Sequence, residues 1–181
     1  MKNKTNKSKG KTVLLIIFSI ILCFLQSIVN SPSSFFTGIC FVLPLIIAIG
    51  VNDSETTGLW FGLITGIVID SLSCGTIAFN AILLMIFGYF SSVLIKYYFN
   101  KSVRSCIVIT LTASIVYYGL YLLIYRLNGN GAIVNYLLNY ALKGIVFSII
   151  FCIPLYYLVL LIENKFTKEG NKWQRKKEIL E

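Results

Sequence analysis

Long uncharged apolar runs separated by short polar breaks dominate the chain. Such runs cover residues 13–29, 35–51, 76–95, 105–125 and 144–162. Crossing the hydrocarbon of a bilayer as a helix takes about 20 apolar residues, with a range of about 17–25. Each of the five can therefore span. A further run, 58–69, is too short alone. Continued to Cys74 it reaches spanning length, but it then contains Asp70. That segment reads as either a short, unusual span or a re-entrant piece. The pattern predicts an all-α integral membrane protein, with a basic arm over residues 1–12, a helical membrane domain over 13–164 and a basic tail over 165–181. No second domain is expected in what remains.

Charge decides how many times the chain crosses. Of all residues, 57% are hydrophobic and 13% charged, against about 25% charged in soluble domains. The formal net charge is +9, and its distribution matters more than its sum. Lys2, Lys4, Lys7, Lys9 and Lys11 cluster at one end; Lys165, Lys168, Lys172, Arg175, Lys176 and Lys177 cluster at the other; Lys96, Lys101 and Arg104 share one internal loop. Basic residues beside spans mark cytoplasmic ends and attract anionic lipid headgroups. Two basic tails require an even number of crossings, and the loop 96–104 requires an even number before it. Four precede that loop only if the Asp70 segment crosses, and two follow. Six transmembrane helices with both termini cytoplasmic is the expectation. The loop 52–57 is then cytoplasmic despite Asp53 and Glu55, because acidic residues weigh little in this rule.

The first run follows five lysines, as a signal peptide would. It is longer than the usual 7–15-residue signal core and no A-x-A-like cleavage site follows, so it is expected to be a retained helix. Residues 132–143 place Asn135, Asn139 and Lys143 on one helical face with apolar residues elsewhere. They read as an interfacial helix on the outer surface or as the first turns of the sixth span. Tyr117, Tyr118, Tyr121, Tyr125, Tyr136 and Tyr140 cluster towards that surface, as an aromatic belt would. Pro44 and Pro154 are expected to kink the second and sixth helices.

Catalytic chemistry finds little to work with. There is no histidine, which removes the commonest general base and metal ligand and with them HExxH and Ser-His-Asp chemistry. The five cysteines, Cys23, Cys40, Cys74, Cys106 and Cys152, include no CxxC pair and read as small apolar side chains in helices. An odd number excludes a complete disulfide framework. No enzyme activity, cofactor or metal is expected. The basic charge carries no nucleic-acid fold signature, so anionic lipid at the cytoplasmic face is its expected partner.

One stretch is more informative. Gly58, Gly62 and Gly66 recur every four residues, and Asp70 continues the series. Residues four apart share a helix face, so the third helix presents a stripe without side chains that ends in a carboxylate. Such stripes let membrane helices approach closely, either inside their own bundle or against a partner. Asp70 reads as a cap, with Ser71 as an alternative, for the start of the next helix, or as a contact to a partner or substrate. A proton relay lacks further titratable groups. On the fourth helix Asn80, Leu84, Gly88 and Ser92 share a face leading to Lys96, and Asn80 is placed to bond Asp70.

The residues Pro44, Gly58, Gly62-Leu63, Gly66, Asp70, Gly75, Asn80-Ala81 and Gly88-Tyr89 resemble the bacterial rod shape-determining protein MreD family. The resemblance covers about half the chain, from the second to the fourth helix, and departs at Ala78, where a glycine is expected shortly before Asn80. It implies a non-enzymatic subunit of the cell-elongation machinery, similar in fold to the six-helix substrate-binding component of energy-coupling-factor vitamin transporters. It also implies binding to the single-span MreC and, through it, to MreB and the RodA–transpeptidase wall synthase, supporting peptidoglycan synthesis. The helix-packing or partner-binding residues it marks are Gly58, Gly62, Gly66, Asp70, Asn80 and Gly88. The alternative is a substrate-binding component of a vitamin or ion transporter. Against it, residues 13–29 lack the alanines or glycines with which such components dock their transmembrane partner.

Overall fold

A computed structural model of the chain describes residues 2–29, 38, 40–73, 78–127 and 140–178. These form six helices: α1 (Lys2–Val29), α2 (Val42–Asn52), α3 (Glu55–Ser73), α4 (Phe79–Tyr97), α5 (Val103–Leu127) and α6 (Leu142–Glu178). Among the described residues, four stretches are long and apolar enough to cross a membrane: Gly10–Val29, Phe79–Tyr97, Val103–Leu123 and Leu142–Lys165. Large apolar side chains such as Ile17, Ile21, Phe24, Ile115 and Ile150 lie exposed on their outer faces. Lipid is the solvent that tolerates such a surface. The chain is a helical membrane protein.

The remaining helices show why apolarity alone is an incomplete guide. The run 35–51 reads as one more span, yet α2 starts only at Val42. It has 11 residues, all buried, and a length of about 16 Å. It touches each of the other five helices. Its burial on every side and its contacts with all five other helices make α2 the axis around which the bundle packs. Pro44 does not kink it. As the third residue of α2 it sits in the first turn, where the missing N–H has no helical acceptor to lose. The Val42 N–H donates instead to Gln26 Oε1 on α1 at 3.1 Å. A helix start buried away from water must be satisfied by protein, and a buried Gln26 serves that need. Pro154 does lie inside α6.

α3, with 19 residues, runs antiparallel to α4 along its whole length, from Glu55 beside Lys96 at one end to Asp70 beside Asn80 at the other. α6 packs on α2 and α5. Of the expected interfacial helix, residues 132–139 lie outside the described residues, and Lys143 belongs to α6.

Candidate functional site

The glycine stripe of α3 faces α4 inside the bundle. A Cβ added at Gly58 would sit 2.4 Å from the Gly88 carbonyl oxygen, at Gly62 2.3 Å from the Leu84 oxygen, and at Gly66 2.3 Å from the Ala81 Cα. On α4, a Cβ at Gly88 would meet the Gly58 oxygen at 2.2 Å. Real Cβ atoms essentially never come so close, and the atoms met are backbone, which cannot swing aside. The face Asn80–Leu84–Gly88–Ser92 is therefore the complement of the face Gly58–Gly62–Gly66–Asp70. The structure brings all six residues marked by the sequence into one helical hairpin. It adds Gly50 of α2, whose Cβ would strike Ser91 Oγ at 2.0 Å and whose oxygen accepts from Ser92 Oγ at 2.7 Å. Only the presence of a glycine in α2 hinted at that contact.

Asp70 closes the hairpin. The residue before α4 is Ala78, whose side chain cannot cap. A helix start needs an oxygen for the N–H groups two and three positions in. Asp70 supplies both from α3: Oδ1 accepts from the Asn80 N–H at 3.3 Å and Oδ2 from the Ala81 N–H at 3.0 Å. Oδ1 also accepts from Asn80 Nδ2 at 2.8 Å. A carboxylate is favoured at this position by the helix dipole as well. Ser71 takes no part, since its hydroxyl donates to the Ile67 carbonyl of its own helix. Asn80 Oδ1 in turn accepts from Tyr117 and Tyr121 of α5, both at 2.8 Å. The network thus ties three helices together at one end of the bundle. Tyr118 donates to the Gly38 carbonyl at 2.7 Å. Tyr117 and Tyr118 are buried and turn into the core; they do not form the lipid-facing belt that the sequence suggests.

Ala78 itself has φ +64°, the left-handed region that costs an L-residue about 1–2 kcal/mol. This is the position where the family resemblance calls for glycine. Ala78→Gly should relieve that strain and lose part of the gain to unfolded-state entropy, about 0.4–1 kcal/mol. A net stabilisation of about 0.5–1 kcal/mol, read as a higher midpoint of unfolding in detergent, is the expected outcome. A lower midpoint would contradict the left-handed geometry.

The opposite end is polar in a different way. Three lysines from three elements converge on the short α2–α3 connection. Lys11 of α1 pairs with Asp53 at 2.9 Å, Lys96 of α4 with Glu55 at 2.7 Å, and Lys101 of the α4–α5 loop donates to the Asn52 carbonyl at 2.7 Å. This hub was not visible in the sequence, where Asp53 and Glu55 entered only as charges that the topology rule could discount. Among the described residues no three His, Cys, Asp or Glu side chains converge as a metal site requires. Cys23, Cys40, Cys106 and Cys152 are free and buried, with the Cys106 and Cys152 sulfurs 3.3 Å apart across the α5–α6 contact. Cys74 lies outside the described residues.

No family model, no curated protein and no solved structure matches the chain.

Proposed function

We infer that this protein is a six-span, non-enzymatic membrane scaffold of the MreD type, which binds MreC and through it supports the cell-elongation machinery. The observation that carries the reading is the α3–α4 hairpin. Every residue of the resemblance on those two helices that bears on packing, from Gly58 to Gly88, meets another of them there or the backbone beside it. That makes the motif a rigid structural unit and not a set of isolated matches. It leaves the outward faces of the bundle for the partner's span. Its hydrogen-bonding groups are committed to one another, which suits a scaffold better than a site of turnover.

Two observations support six crossings, of which α2, with 11 residues, would be the short one. α3 lies against α4 along its full length, so a membrane crossed by α4 is crossed by α3, whose length is about 28 Å. In addition, Lys11, Lys96 and Lys101 meet at one end of the bundle, as the even-crossing argument requires of the N-terminal arm and the loop 96–104. Reporter fusions should read cytoplasmic at Asn100 and after Lys177, and external at Asn130. MreC co-expressed with the chain should co-purify with it. An external reading at Asn100 overturns the topology. Failure to capture MreC, with the topology intact, overturns the scaffold reading alone.

The second reading, a substrate-binding transporter component, is favoured by one observation. Ser114 Oγ, in the buried core face of α5, has no hydrogen-bond partner. Buried hydroxyls usually find one, and a polar ligand or a water is one way to supply it. Uptake of a polar solute without MreC capture would move the assignment to this reading.

A further inference from the structure

A cleft of about 600 Å³ opens between the α2–α3 connection and the end of α4 with its following loop. Its volume falls within the range of small-molecule sites, about 300–1,000 Å³. Asp53 and Glu55 line it from one connection, Lys96 and Lys101 from the other, and Ile95 and Phe99 add apolar surface. Tyr97 and Tyr98 beside it are 67% and 79% exposed. Exposed tyrosines at the end of a span mark the headgroup layer of the bilayer. The cleft therefore opens where phospholipid headgroups are the most concentrated solute.

Its charges select among those headgroups. The lining sets two ammonium groups against two carboxylates, segregated in sign, while Lys11, outside the lining, pairs with Asp53. Each lysine has three donor hydrogens. Lys96 Nζ gives one to Glu55 Oε1, and Lys101 Nζ one to the Asn52 carbonyl, which leaves both ammonium groups donors for a phosphate. A carboxylate has about four acceptor sites. Asp53 uses Oδ2 for Lys11 and Oδ1 for the Ser54 N–H, and both carboxylates retain room for a further donor. We propose that this cleft binds the headgroup of a phosphatidylethanolamine-type lipid, with Lys96 and Lys101 holding the phosphate and Asp53 and Glu55 the primary ammonium. A quaternary choline cannot donate a hydrogen bond to the carboxylates, and a glycerol headgroup brings them no cation. The apolar wall at Ile95 and Phe99 suits the glycerol ester region. This inference is independent of the scaffold reading, since it rests on the cleft alone.

The test is native mass spectrometry of the full chain in detergent. Phosphatidylethanolamine, phosphatidylglycerol and phosphatidylcholine with identical acyl chains are added at equal concentration. One copy of phosphatidylethanolamine should survive activation that strips the other two. In the Lys96→Ala, Lys101→Ala double variant its affinity should fall about tenfold or more, the loss of at least one charge-assisted hydrogen bond. Removing Lys96 also frees Glu55, so a second variant leaves all four charges in place. Asn100→Trp fills the cleft with an indole and should abolish the retained copy without changing the melting temperature in lipid-free detergent. Phosphatidylglycerol held as tightly as phosphatidylethanolamine would reduce the site to a basic surface and overturn the proposal. So would phosphatidylethanolamine retention that survives Asn100→Trp.

Discussion

Gly62→Leu will destabilise the bundle by at least about 3 kcal/mol, the upper range for overpacking a tight site, whereas Gly119→Leu will be tolerated. The two glycines sit in comparable apolar helices and differ in what surrounds them. A Cβ at Gly62 meets the Leu84 carbonyl oxygen at 2.3 Å, the Leu84 carbonyl carbon at 2.6 Å and the Met85 Cα at 2.8 Å; at Gly119 nothing lies within 4 Å. Leucine at Gly62 can be housed only by pushing α3 off α4, which opens the contacts at Gly58 and Gly66 together with it. Even Gly62→Ala is informative, because the two possible placements differ in sign. On a lipid-facing helix surface alanine is the better helix former by about 0.8–1 kcal/mol, so the variant would melt higher. Against the α4 backbone it must melt lower. Unfolding midpoints in detergent for Gly62→Ala, Gly62→Leu and Gly119→Leu decide the matter. A Gly62→Ala midpoint at or above that of the parent chain would show that α3 and α4 do not pack as described.

The sequence made the faces legible but not their partners. A four-residue period puts Gly58, Gly62, Gly66 and Asp70 on one line, and the same period links Asn80 to Ser92, because both are properties of a single helix. That the two lines face each other is a property of two helices, and periodicity does not contain it. The interior role of α2 was hidden for a related reason. In water, apolar residues on all sides signal burial; in a membrane chain they also suit lipid, so the run 35–51 reads as one more span. Tyr117 and Tyr118 were misplaced because tyrosine near a span end serves equally as a belt residue or as a donor to a buried acceptor. Only the position of Asn80 and of the Gly38 carbonyl distinguishes the two. Ala78 was the opposite case. The resemblance calls for glycine there, and the φ of +64° supplies the physical reason.

Asp70→Ala should cost about 2–4 kcal/mol, and the reason separates its structural role from any role in partner binding. The substitution removes the cap of α4, typically about 0.5–2 kcal/mol, and leaves the buried Asn80 amide without its acceptor, about 1–3 kcal/mol. Asp70→Asn should cost roughly half as much. It keeps one acceptor oxygen but turns an amide N–H₂ towards one of three N–H donors that the carboxylate now satisfies. Because Asp70 and Asn80 act through one network, the cost of Asp70→Ala in an Asn80→Ala background should be smaller by about 1 kcal/mol or more. Additive costs would mean that the Asp70–Asn80 bond contributes nothing. On the proposed scaffold reading, capture of MreC adds a second axis. Asp70 spends its carboxylate on Asn80 and Ala81, so its effect on the partner should run through the hairpin. Capture by Asp70→Ala should therefore be weakened where the variant is partly unfolded and recover when it is assayed well below its melting temperature, with membrane insertion unchanged throughout. Capture still lost in the fully folded variant, and equally lost in Asp70→Asn, would instead assign the charge of Asp70 to the partner interface.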